Sequence, residues 1–277
     1  MARGDLDRYD PLYTFEDFNA GGAEDEDDPS SMSLVSHLEE LRWRIFKSLI
    51  AVAIGTIIAF IFREQIVHFL ETPLPKTAYN ALGDSKDSRP VVTGIMEGFT
   101  VMLMVSIVAG VMMALPVILY QAWAFISPGL YRHEKSAAIP FIFIGIILFA
   151  LGVSLGFTVL RYPVEWLVTF AASSFRELVS AGSYFTFVAF FILVFGLIFE
   201  LPLVLTFMAQ VGLISVETLE KKRANAHIGM WIASCFVTPG ADLYSPIFIG
   251  VALSVLYELT IIFIKLTHRF WPAAAAD

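Results

Sequence analysis

With 277 residues, 57% of them hydrophobic and 16% charged, and a mean hydropathy of +0.72, the chain is too apolar for a soluble globular domain, which carries about 45–50% apolar and about 25% charged residues. Its formal charge of −8 sits in residues 1–30, where ten acids face only Arg3 and Arg8. The rest of the chain balances at 16 acids and 16 bases, which argues against nucleic-acid binding and against a strongly anionic soluble ligand.

Residues 1–31 combine that acidic run with Gly21-Gly22 and low hydrophobicity, and read as a disordered acidic tail. No secretory signal fits, because the first apolar run begins near Ile45 and no small-residue cleavage site follows it. Apolar stretches over 45–62, 99–125, 137–160, 185–211, 224–237 and 246–266 alternate with segments rich in Pro, Gly and charge. They predict an all-α membrane protein with six transmembrane helices over residues 32–269 and a short tail at 270–277. Crossing a hydrocarbon core of about 30 Å takes about 20 residues at 1.5 Å each. The fifth stretch, Ala224–Val237, is too short, so the last hairpin predicts a locally thinned bilayer. Ten Lys and Arg fall on the segments sharing a side with the termini and six on the opposite loops. The positive-inside rule therefore puts both termini in the cytoplasm.

Ahead of the first span, Leu34, Leu38, Leu41 and Ile45 recur at helical spacing with Glu40, Arg42 and Arg44 between them. This is an amphipathic helix, and its plain reading is an interfacial anchor. After the second span, Ser127-Pro-Gly-Leu-Tyr-Arg-His-Glu-Lys135 places Glu134 among three basic side chains. A carboxylate in such a loop is ordinarily just solvated. Glu40 and Glu134 nevertheless both lie at the predicted inner surface, where two carboxylates suit the guanidinium groups of an incoming basic peptide.

Gly152-Val-Ser-Leu-Gly156 matches the pattern around hydrolase nucleophiles, with His227 as an imaginable base. That chemistry needs a strand-to-helix elbow, whereas this pattern lies in an apolar span where two glycines four apart serve close helix packing. Within the fourth stretch, Phe199-Glu200-Leu-Pro202 sets a carboxylate in an apolar run, at a cost of about 2.5–3.5 kcal/mol if it faced lipid charged. Pro202 removes a backbone bond and bends the helix, so Glu200 reads as lining a small watery cavity or, structurally, as a protonated acid bonded to a neighbouring helix. Asp242 in the turn between the last two stretches is ordinary turn chemistry. Glu258, near the inner end of the last span, reads as structural. The histidines show no metal-ligand spacing, and no nucleotide-binding fingerprint is present, so neither cofactor nor enzymatic activity is expected.

The runs His37-Leu-Glu-Glu-Leu-Arg-Trp-Arg44, Leu115–Phe125, Ser127–Glu134, Phe199-Glu-Leu-Pro202, Lys221-Lys-Arg223 and Thr238-Pro239, in this order, resemble TatC, the multispanning receptor of the twin-arginine protein translocase, over about residues 32–266. The resemblance implies that Glu40 and Glu134 bind the paired arginines of signal peptides on folded precursors, with Arg42, the arginine of the same run, in the signal-peptide-binding site. It implies that Glu200 and Pro202 bear on a thinned groove and on contacts with TatA-like and TatB-like single-span subunits. It matches Pro73 to an outer-loop proline and Asp242 to the outer turn of the last hairpin. It implies transport driven by the proton-motive force in a prokaryotic cytoplasmic membrane, with a homo-oligomer within the complex left open. Many relatives carry Pro-Pro-Asp and then a glutamine where this chain has Pro-Gly-Ala-Asp and Pro246. The alternative is a proton-coupled small-solute transporter with Glu200 as proton carrier, although no inverted repeat is visible.

Overall fold

In a computed structural model of the chain, the amphipathic stretch and the first apolar stretch form a single helix, α1 (Leu34–Ile61). The sequence permits this because neither Pro nor Gly occurs between Leu34 and Gly55. The structure describes residues 34–75, 90–126, 138–170, 179–210, 212–238 and 242–270. The acidic tail and the loop carrying Glu134 lie outside the described residues. The chain divides into two compact units, Met1–Trp43 and Arg44–Asp277. In the first, the described part is the opening of α1.

The second unit continues with α2 (Arg63–Leu70), α3 (Glu97–Ile126), α4 (Ala138–Val159), α5 (Arg161–Phe170), α6 (Ala181–Ile198), α7 (Leu201–Gln210), α8 (Val216–Lys221), α9 (Arg223–Val237) and α10 (Tyr244–Phe270). Five segments are long and apolar enough to cross a membrane: Ser36–Ile61, Glu97–Phe125, Ile139–Phe170, Ala181–Gln210 and Tyr244–Leu266. They correspond to the first, second, third, fourth and sixth expected stretches. The fifth forms α9, whose 15 residues span only about 22 Å.

The third span departs from expectation. The apolar stretch ends at residue 160, yet the helix resumes at Arg161 as α5, and the span runs on to Phe170. Pro163 falls in its first turn, where a missing amide hydrogen has no partner to lose. Arg161 donates to the Tyr162 hydroxyl at 2.8 Å and lies over that ring. Tyr162 stacks on Phe248, and Trp166 meets Tyr244, the ring types enriched where membrane meets water.

The core centres on α6. Phe191 and Phe195 are fully buried, and with Phe187 they descend one face with ring centroids 5.7 and 4.9 Å apart. Helix α4 meets this helix through Gly152 and Gly156. A Cβ on Gly152 would lie 2.6 Å from the Phe195 carbonyl oxygen, and one on Gly156 2.6 Å from Phe195 Cβ. The pattern around Ser154 is therefore a packing seam, and Ser154 donates to the Ala150 carbonyl of its own helix.

Only 11% of the apolar window of α1 is buried, against 39% for α3. Its approach to the bundle is concentrated where Gly55 meets Gly110, since a Cβ on Gly55 would lie 2.7 Å from the Gly110 carbonyl oxygen. A Cβ on Gly110 would lie 2.7 Å from Thr56 Cα. Both obstacles are backbone, which cannot rotate away. We expect Gly110→Val to destabilise the protein in detergent by about 1–3 kcal/mol. Gly229→Ala, where nothing lies within 4 Å of the added carbon, is expected to be neutral or slightly stabilising. Thermal unfolding checks both, and equal losses would remove the special role of the crossing.

Candidate functional site

At the head of α1, helical geometry sets Glu40 one turn after His37, and their side chains approach to 3.9 Å. The Glu40 side chain is 20% exposed and that of His37 43%. Glu40 is thus partly shielded from water, which strengthens any further ionic contact it makes. Arg42 is exposed. Glu134 lies outside the described residues.

Glu200 and Pro202 share a break inside the fourth span. Helix α6 ends at Ile198, Phe199 and Glu200 form a turn, and α7 starts at Leu201. Pro202 occupies the second position of α7, where a proline is tolerated. The Glu200 amide donates to the Leu197 carbonyl at 3.1 Å, so the chain tightens locally before the helix resumes. Glu200 is 8% exposed, and neither carboxyl oxygen has a hydrogen-bond partner among the described residues. The bond to a neighbouring helix that a purely structural role predicts is not seen there. Beside the carboxyl group, α4 carries Gly145, where an added Cβ would sit 3.3 Å from Glu200 Oε2 and 2.6 Å from Leu119 Cδ1. A larger residue at that position would crowd the carboxyl group and the leucine cluster beside it. The arrangement therefore holds an acid without a hydrogen-bond partner among the described residues, beside apolar side chains at a helix break.

Pro73 is half-buried in the turn that follows α2, where the Leu74 amide donates to the Glu71 carbonyl. Asp242 is buried, and its Oδ1 accepts from the Ser245 amide at 2.6 Å, capping the first turn of α10. Pro246 lies in that same first turn, which has no use for its missing donor.

Two polar clusters were not anticipated. Glu97, at the start of α3, accepts from Thr93 and Gly94 with one oxygen, and from the Ser180 hydroxyl at 2.6 Å and the Gly182 amide at 2.7 Å with the other. With the backbone bridge between Val91 and Ser180, it ties the start of α3 to that of α6. A lone acid in the first turn of an apolar run, where the helix dipole favours it, was the available signal. The second cluster joins α9 to α10: His227 bonds Ser254 and Glu258, and Arg223 pairs with the same Glu258 oxygen. His227 is thereby committed to α10, not to Ser154. Glu258 thus has two partners, His227 and Arg223.

The family model described as Sec-independent protein translocase protein (TatC) matches residues 36–251. The chain belongs to the TatC family. The TatC protein of Desulforapulum autotrophicum is 39% identical over 227 residues, covering 82% of each chain. That of Carboxydothermus hydrogenoformans is 34% identical over 241 residues, covering 87% of this chain and 95% of its own. A crystal structure of the twin-arginine translocase receptor TatC superposes with a TM-score of 0.71 at 31% identity, covering 84% of this chain and all of that one. Together with the five apolar helices, TatC membership makes this an integral membrane protein of the Sec-independent translocase. It also decides against the solute-transporter alternative, and TatC is a translocase family, not an enzyme family. Every expected site residue, from Glu40 to Asp242, falls within the TatC match.

Proposed function

We propose that this chain is the signal-peptide receptor and membrane core of a twin-arginine translocase. Glu40 and Glu134 pair with the two guanidinium groups of the signal peptide, and Arg42 borders that contact. Glu200 with Pro202 acts inside the membrane, on the groove and on contacts with TatA-like and TatB-like single-span subunits. Pro73 and Asp242 hold turns on the outer side. Six spans, counting α9, put both termini on the inner side of a prokaryotic cytoplasmic membrane, a reading supported by the excess of Lys and Arg on that side. The core covers residues 32–269, flanked by the acidic tail 1–31 and the short tail 270–277. Because α9 is too short to span, the bilayer thins around it. The proton-motive force supplies the energy.

The observation that carries the receptor reading is the position of Glu40. It belongs to the opening turns of the helix that becomes the first span, so a partly shielded carboxylate stands where an inner-surface peptide arrives. The test is co-purification with a precursor carrying two arginines or two lysines. Lysine is a compact point charge and cannot reproduce the bidentate contact. The lysine precursor is expected to be captured about tenfold less well, or worse, equivalent to ~1.4 kcal/mol or more. Equal capture would refute the assignment.

A further inference from the structure

Helices α9 and α10 run antiparallel and meet at matched steps. Trp231 covers Gly250, where an added Cβ would lie 2.8 Å from the indole. Four residues back along α9 and four forward along α10, His227 meets Ser254, with Nδ1 and Oγ 3.1 Å apart. A further four in each direction, Arg223 Nε lies 3.2 Å from Glu258 Oε1. His227 Nε2 also reaches that oxygen, at 2.9 Å. Below these rungs the Tyr257 hydroxyl donates to the Leu219 carbonyl of α8 at 2.9 Å, and Lys265 pairs with Glu220. A neutral imidazole fits both of its contacts, donating to the Glu258 carboxylate from one nitrogen and accepting from the Ser254 hydroxyl at the other.

We propose that His227 and Glu258 are positioning residues that lock the register of the short α9 against α10, so that the shortness of α9 is relieved by thinning the bilayer and not by sliding of the helix. The inference rests on the thinning reading above. A helix of about 22 Å beside a core of about 30 Å has three ways out: the lipid compresses, the helix tilts, or it slides along its neighbour. An all-apolar seam of leucines tolerates sliding, because one dispersion contact replaces another. The polar rungs do not. A slip of one turn would break at once the contacts that Glu258 makes with His227 and Arg223 and the one that His227 makes with Ser254, three geometrically specific partnerships of partly buried polar groups. The glycine rung adds a steric stop, since only Gly250 leaves room for the Trp231 ring.

The experiment uses the full chain in vesicles of short-chain or long-chain phosphatidylcholine. Spin labels sit at Ile228→Cys and Val255→Cys in a Cys235→Ala background. Both positions are exposed and stand off the rungs. With the rungs intact, the inter-label distance is expected to be the same in both bilayers. In His227→Leu/Glu258→Leu it is expected to differ between them by up to about 5 Å, one turn of helix, with export in cells reduced about tenfold and precursor binding retained. A double variant whose distance ignores bilayer thickness would overturn the lock. If the leucine pair does not accumulate, His227→Phe serves. It keeps the Arg223–Glu258 pair and is expected to show the same shift with smaller amplitude, and no shift would again overturn the lock. A label at Thr238 tells the two failures apart. Ordinary headgroup depth there, with register fixed in the wild type and lost in the variant, supports the lock and refutes the thinning.

Discussion

Replacing Glu200 by alanine is expected to stop export while leaving the protein as stable as before or more stable. The reason is its surroundings. The side chain is 8% exposed and neither oxygen has a hydrogen-bond partner among the described residues, so the folded state bears the desolvation of a polar group without return. Removing such a group relieves about 1–3 kcal/mol, offset in part by the small void left between α7 and Gly145 of α4. A residue that lowers stability yet serves export is the signature of a functional position. The expected results are export reduced about tenfold or more, signal-peptide binding nearly unchanged, and an unfolding temperature in detergent equal to or above that of the wild type. Glu200→Gln keeps the shape and polarity but cannot carry charge, and separates a need for ionisation from a need for a polar group. A parallel loss of binding, export and stability in the alanine variant would mean that Glu200 serves folding instead.

The double replacement Glu40→Ala/Glu134→Ala is expected to weaken crosslinking to a twin-arginine precursor by about a hundredfold, ~3 kcal/mol, without removing the protein from the membrane. Each charge-assisted hydrogen bond to a guanidinium contributes about 1.5–3 kcal/mol, and two such bonds at the low end of that range give the expected loss. Glu40, 20% exposed, is expected to give the part of the effect that survives added salt, since shielded charges are screened least. Insertion is expected to persist because the apolar window of α1 is untouched. Site-specific crosslinking in membrane vesicles at two salt concentrations measures the effect. Precursor docking that survives neutralisation of both carboxylates would defeat the receptor assignment at these residues.

Much of this protein was legible in the sequence because hydropathy is a local, additive property. The apolar stretches, the shortness of the fifth and the bend at Glu200-Pro202 follow from residue types taken a turn at a time, as does the packing role of Gly152 and Gly156. Elements that mix polar and apolar residues were not legible. The α5 extension hides behind Arg161, Pro163 and Glu165, and α2 behind Glu64 and His68, because a polar residue at a span end looks the same in a loop and in a helix.

What only the tertiary structure decided is pairing across the chain. Glu97 finds Gly182, 85 residues away, and His227 finds Glu258, 31 residues away. Glu200, an acid of the same kind, finds no partner among the described residues. Three carboxyl groups beside or inside apolar runs thus have different fates. A side chain's partner is set by which helix faces meet, and that depends on the packing of Phe191, Phe195 and the glycine seams together, not on the residues on either side of the acid.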